Sequence, residues 1–319
     1  MSKLLLWTSL ILITLLSPFA GTVILDYNSL FESGSLSQRI FLELRLPRIL
    51  LAFAVGGTLA LAGLLFQTLF RNSLMTPFTL GVSGGAVLGA GVAIKLGLTL
   101  ILGISAVSLF GFMGALFTVI LLILLSRYLK RAEQESLLLL GIALSFFYTS
   151  ALMVIFYLSS FTETATIMRF TMGSLSIVGY ESVIISSAIA LVLLGVLWLK
   201  RFELQILAIS DEQASLKGIN TTRLSYLFLI ITSLAIGIIV SLTGPIGFIG
   251  LIIPHMIRRI YKRSVSKLIF PVFLLGGFFL LACDTLARYL SSGSEIPIGV
   301  ITALIGGPFF IYLIISKQK

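Results

Sequence analysis

The stretch KRFELQILAISDEQASLKGINTTR, Lys200 to Arg223, is a polar island in an otherwise apolar chain. Apolar segments of the length that crosses a bilayer, about 20 residues each, precede and follow it. Its order is written locally. Ser210 is placed to cap a short helix, and Gln213 follows three residues on, as in a capping box. Asp211 and Glu212 fall in the first turn, where the helix dipole favours negative charge, and Lys217 falls in the last, where it favours positive charge. Gly218 supplies a left-handed stop. A helix of about two turns is therefore expected between Ser210 and Lys217. Two readings stay open here: an ordinary capped loop between membrane helices, or a helix through which a soluble partner drives the chain.

Composition bounds the rest. Apolar residues make up 58% of the 319 residues and charged ones 11%, the balance of a polytopic membrane protein. A formal charge of +10 raises nucleic acid as a partner. That is rejected, because the cations sit in short loops between apolar runs, where the positive-inside rule puts them. Membrane lipid is the expected surrounding. Cys283 is the single cysteine and His255 the single histidine, so neither an internal disulfide nor a histidine-rich metal site can form. No G-x-x-x-x-G-K-[ST] loop is present, so the chain is not expected to hydrolyse ATP. No catalytic constellation is visible among the scattered carboxylates. The chain reads as a non-enzyme that binds no cofactor or metal of its own.

Ten spans are expected. The first covers Met1 to about Leu25. It is preferred to a signal peptide, since Ser17-Pro18-Phe19-Ala20 is a poor cleavage site. The others run Pro47–Leu69, Pro77–Ile94, Leu98–Ser126, Ser136–Leu158, Ser182–Leu199, Leu224–Leu242, Ile246–Ile260, Leu268–Tyr289 and Pro297–Ile315. An even count puts both ends on one side. Of the 22 lysines and arginines, only Arg39, Arg45, Arg48, Lys95, Arg169 and Arg288 then fall on the opposite side. The termini and the island are therefore expected in the cytoplasm.

Glycine placement adds detail. Gly81, Gly85 and Gly89 are four apart and share a helix face suited to close approach. Gly244-Pro245-Ile246-Gly247-Phe248-Ile249-Gly250 is too broken for a plain helix, and Gly306-Gly307-Pro308 interrupts the last span. Tight packing or a kink explains such places, as does a substrate pathway, since broken helices at membrane depth need a protein or water-filled cover.

Four runs carry a family resemblance. They are RLPRILLAFAVGGTLALAGLLFQTLFRNSLMTPFTLGVSGGAVLGA (Arg45 to Ala90), GPIGFIGLIIPHMIRR (Gly244 to Arg259), and DTLAR (Asp284 to Arg288) followed by EIPIGVITALIGGPFF (Glu295 to Phe310). Together they span most of the chain. They resemble the iron-siderophore permeases of ABC importers, a family that includes cobalamin and haem permeases. Departures are small: Ser73 for a usual proline, Phe170 for a frequent tryptophan before Gly173-Ser174-Leu175, and Ser210 for a common glycine.

The resemblance implies an all-α polytopic permease of the type II importer architecture, one domain over residues 1–319 with a coupling loop at about 200–223. It implies a second permease subunit, identical or related, and a pair of ATPase subunits that hold ATP and Mg. It also implies a periplasmic or lipid-anchored binding protein, in a bacterial inner membrane. Glu212-x-Ala214-x-x-x-Gly218 resembles the coupling loop of importer permeases, so Asp211, Glu212, Ala214 and Gly218 are carried over as ATPase-coupling residues. Arg45, Arg48 and Arg288 match positions that meet glutamates of the binding protein, a task suited to charge-assisted pairing. Lipid headgroups or pairs within the chain are the alternatives, and Asp284 and Arg288 stand four apart on one helix. His255 is a structural hydrogen-bonding residue or a proton relay. Asp284 is an ion-pair residue or part of the pathway wall. Ser145, Thr149, Met153, Met168 and Met172 are candidate pathway residues, the methionines for their adaptability. The expected cargo is an iron chelate, a ferric siderophore. Cobalamin or haem within the same architecture, and an ion-coupled secondary transporter, are the alternatives.

Overall fold

In a computed structural model, residues 34–101, 104–128, 134–291 and 295–316 are described, with residues 8, 10, 12, 14, 16–19 and 32 ahead of them. The expected first span lies mostly outside the described residues; its one described element is a short 3-10 turn, Ser17–Phe19.

The chain is almost wholly helical. Helix α1 covers Leu36–Leu69, with a wider π-type turn over Ile40–Arg45. Helix α2 is Val82–Lys95, and a two-residue hairpin, β1 (Leu100–Ile101) and β2 (Ile104–Ser105), leads into α3, Ala106–Tyr128. Then come α4 (Gln134–Leu158), α5 (Phe161–Thr171), α6 (Glu181–Leu199), α7 (Arg201–Leu207) and α8 (Asp211–Leu216). The last four are α9 (Thr221–Thr243), α10 (Ile249–Tyr261), α11 (Ile269–Leu290) and α12 (Ile298–Ser316). Six described helices are long and apolar enough to cross a membrane: α1, α3, α4, α6, α9 and α11. Helices α2 and α12 are shorter apolar elements in the same bundle, and α10 is a shorter amphipathic one. These described helices stand where nine of the ten expected spans do; the first lies mostly outside the described residues.

Several boundaries move, each for a local reason. The third span starts at Val82, not Pro77, because residues 76–81 are turns that end on Gly81 at φ 78°. The fourth starts at Ala106, because Leu98–Ser105 is spent on the hairpin. The segment between the fifth and sixth spans holds an unexpected helix, α5. Its start is a capping box: Ser160 accepts from the Glu163 N–H while the Glu163 carboxylate accepts from the Ser160 N–H. A second unexpected helix, α7, follows α6 after a break at Lys200.

Helix α1 is the centre of one group, packed by α11, α10 and α6; α2 is the centre of another, with α3 and α4; α9 lies against both. Small residues make this possible. A side chain at Gly63 would overlap the Gly250 carbonyl of α10, and one at Gly56 the Gly276 carbonyl of α11. In hydrocarbon no hydrophobic force draws helices together, so such backbone-to-backbone packing is what holds them. Gly85 and Gly89 do the same against Gly114 and the Phe110 carbonyl of α3. Gly81 does not share that face, since it turns the chain into α2 and meets α4 instead. Helices α4 and α6 keep broad apolar faces exposed, including Phe146, Phe147, Leu191 and Val192.

Candidate functional site

The bundle has two polar ends, joined by α1 and α11. At one end a charge network fastens them. Asp284, fully buried on α11, accepts from Arg48 Nε through Oδ1 at 2.9 Å and from Arg288 Nε through Oδ2 at 3.0 Å. The Nη1 of Arg48 also donates to both oxygens of Glu295 at 2.8 Å, and the Ser176 hydroxyl donates to the same carboxylate. Arg288 continues through Nη1 to the Ser17 carbonyl at 3.1 Å and through Nη2 to the Ser17 hydroxyl at 2.9 Å. Arg45 donates to the Pro18 carbonyl at 2.6 Å. A buried charge is tolerable only with such partners.

The arginines matched to docking positions are thus held by partners within the chain. Of the alternatives raised for them, the i,i+4 pair Asp284–Arg288 is present. Arg48 is the member nearest the surface, with its side chain 11% exposed beside a Glu295 that is 49% exposed. Glu295 and Ser176 were not singled out from sequence, although Glu295 opens one of the quoted runs. Burial pushes the Glu295 carboxyl up, but the Ser176 hydroxyl and the Arg48 charge outweigh it and hold the group below the ordinary glutamate value.

At the other end sits the island. The Ser210 hydroxyl accepts from the Gln213 N–H at 3.0 Å, and α8 ends through Lys217 on Gly218 at φ 74°. This is the short helix read from the sequence. Glu212, Gln213, Ser215 and Leu216 are exposed on it. Ala214 is fully buried, and its carbonyl accepts from the Ile219 N–H at 3.0 Å. Ala214 therefore forms the seat of α8, Gly218 is its exposed left-handed stop, and Glu212 belongs to its outward face. The side chain of Asp211 lies outside the described residues.

Between the ends the chain is broken at Gly244–Gly250 as expected, whereas Gly306-Gly307-Pro308, expected to interrupt the last span, lies within the continuous helix α12. Gly244 at φ 70° ends α9, and Phe248 at φ 68° begins α10. The Ser174 N–H donates to the Thr243 carbonyl at 2.7 Å, and the Gly299 N–H donates to the Met172 carbonyl at 3.0 Å, so three chain segments meet there. Beside this break a cavity of about 240 Å³ is lined by Ser83, Gly84, Tyr148, Thr149, Thr171 and Pro245 among others. Thr149 is the pathway candidate found in that wall. Ser145 donates back to the Gly141 carbonyl. Met153, Met168 and Met172 are exposed side chains, Met172 at the meeting point itself. Tyr148, not anticipated, is buried and hydrogen-bonded to the Thr118 hydroxyl at 2.8 Å. His255 lines a smaller cavity of about 170 Å³ with Arg259 and Tyr312. Among the described residues no His, Cys, Asp and Glu group could hold a metal ion.

A polytopic bundle with a broken helix beside a cavity between its ends, a buried charge network at one end and a capped helix at the other has the form of a transport permease. Its sequence matches the model of the FecCD transport family over residues 9–316. The chain belongs to that family of ABC importer permeases. It is 34% identical to the hemin transport system permease protein HmuU of Yersinia pestis, over 97% of this chain and 94% of that one. It is 35% identical to the "Probable iron chelatin transport system permease protein" of Helicobacter pylori, over 90% of this chain and 85% of the other. Among solved structures it resembles an inward-facing conformation of a metal-chelate type ABC transporter, with a TM-score of 0.83, 28% identity, and coverage of 96% and 97% of the two chains.

Proposed function

We propose that this permease carries an iron chelate, a ferric siderophore, across the inner membrane, driven by ATP hydrolysis on two separate subunits that dock at α8. A second permease subunit completes the pathway, and a binding protein delivers cargo at the end that holds Arg48 and Glu295. Both termini and the island face the cytoplasm in this reading, as the lysine and arginine distribution supports. The carrying observation is α8 itself: a capped helix on a buried seat that turns Glu212 and Leu216 outward. In the docking step a carboxylate of the binding protein reaches Arg48 at the rim, with Arg45 and Arg288 holding the network beneath. Haem is the second reading, favoured by the similarity to a hemin permease; cobalamin is a third within the same architecture.

Uptake into proteoliposomes containing the permease, its ATPase and its binding protein tests this directly. Labelled ferric siderophore is expected to accumulate only with internal ATP. Preferential uptake of haem or cobalamin would replace the cargo. Uptake on an ion gradient without the ATPase would overturn the mechanism and favour a secondary transporter.

A further inference from the structure

Helix α7 lies between α6 and the coupling helix α8, and three kinds of contact fasten it to the bundle. Leu204 and Leu207 are buried. Arg71, just past the end of α1, donates through Nε at 3.3 Å and Nη2 at 3.0 Å to the Leu207 carbonyl, in the last turn of α7. A cation there satisfies an end carbonyl and complements the helix dipole. On the other side the Ser266 hydroxyl, in the 3-10 turn Val265–Lys267 just before α11, donates to Gln205 Oε1 at 2.6 Å.

Arg71 holds this geometry at a cost. Its φ is 46°, the left-handed region that side-chain-bearing residues seldom adopt. Such a conformation persists where surrounding contacts over-determine it. The two helices thus reached are α1 and α11, the same pair that Asp284 ties together at the opposite end through Arg48 and Arg288. The 24 residues from Leu46 to Leu69 span about 36 Å at 1.5 Å per residue, the full hydrocarbon thickness.

We infer that Arg71 and the Gln205–Ser266 pair are positioning residues that transmit movement of α8 through α7 to the α1–α11 pair, and so to the charge network at the far end. This rests on the ATPase-driven reading above. Without these clasps α7 would lose its side-chain hydrogen bonds to Arg71 and to the turn before α11, and a push on α8 would be absorbed locally.

The test has two arms. Arg71→Gly suits the left-handed backbone while removing the guanidinium, and Ser266→Ala removes the second clasp. In the first arm the purified permease alone is followed by hydrogen exchange over residues 201–216. Each variant is expected to speed exchange there about fivefold, the effect of about 1 kcal/mol, with exchange in α1 and α11 unchanged. In the second arm the complete complex is reconstituted, and ATP hydrolysis and cargo uptake are measured together. Hydrolysis is expected to persist while cargo carried per ATP falls about fivefold, with Arg71→Lys recovering part of the loss. Unchanged exchange over 201–216 overturns the clasp. Faster exchange with unchanged cargo per ATP overturns its role in transmission. A wild-type permease that binds no ATPase refutes the importer mechanism and with it the transmission role, while the first arm still decides whether the clasp exists.

Discussion

Replacing Asp284 by Asn should cost the permease about 3 kcal/mol. The carboxylate is fully buried and bonded to two guanidinium groups on two helices. Removing one partner of a buried pair costs about 3–5 kcal/mol, because the other charge is left buried. Arg48 keeps both oxygens of Glu295, whereas Arg288 keeps its hydrogen bonds to the Ser17 carbonyl and hydroxyl and the longer-range attraction of Glu295. These remaining contacts put the cost at the lower end. The chain carries its own reporter. Cys283, the neighbouring residue and the single cysteine, is 2% exposed, so a thiol-reactive dye labels it only when α11 separates. Asp284→Asn should lower the temperature at which Cys283 labels. Because a buried ion pair can be exchanged for apolar residues of similar volume at little cost, Asp284→Leu with Arg288→Met should recover more than half of the loss. An unchanged labelling temperature for Asp284→Asn, or a double variant no better than the single one, would refute the view that this network holds α1 to α11.

Two further outcomes follow from the packing and the charges. Gly63→Ala should destabilise the bundle by about 1–3 kcal/mol, the usual cost of overpacking, since the added methyl would overlap the Gly250 carbonyl; Gly195→Ala in α6, which meets nothing within 4 Å, should be neutral or mildly stabilising. Thermal unfolding of the two variants in detergent compares them. The Glu295 carboxyl is held below the ordinary value of 4.5, so its clasp on Arg48 is fully present above that value and is lost as pH falls through the depressed one. Spin labels at Val178 and Val300, in a Cys283→Ser background, should keep one distance from neutral pH down to the ordinary glutamate value and spread only below it. Spreading already near pH 6 would contradict the assignment.

Most of the spans were legible because they are long apolar runs, and length alone identifies such segments. What length cannot show is where a helix bends. Residues 76–81 and Leu98–Ser105 are apolar enough to extend a span, yet the first ends in a left-handed glycine and the second turns back as a hairpin. Helix α5 is too short and polar to register as a span, although Ser160 and Glu163 spell a capping box that a local reading could have found. The island helix α8 was legible in full, since its cap, charges and stop are all sequence-local. The partners of the arginines were not. Arg48 meets a carboxylate 236 positions away on one side and another 247 positions away on the other, and only the i,i+4 spacing of Asp284 and Arg288 hinted at the network. The same holds for Arg71 and Gln205, whose contacts join segments far apart in sequence.

In the proposed mechanism an ATPase drives this permease through α8, and copurification of the two proteins is the assay for it. Glu212 and Leu216 are exposed on that helix, Leu216 at 87%, so Glu212→Arg with Leu216→Glu changes its outward face without touching the buried Ala214. The permease should copurify with its ATPase in detergent, and the double variant should lose the ATPase while retaining the wild-type labelling temperature of Cys283. Equal recovery of the ATPase by both proteins would contradict the account.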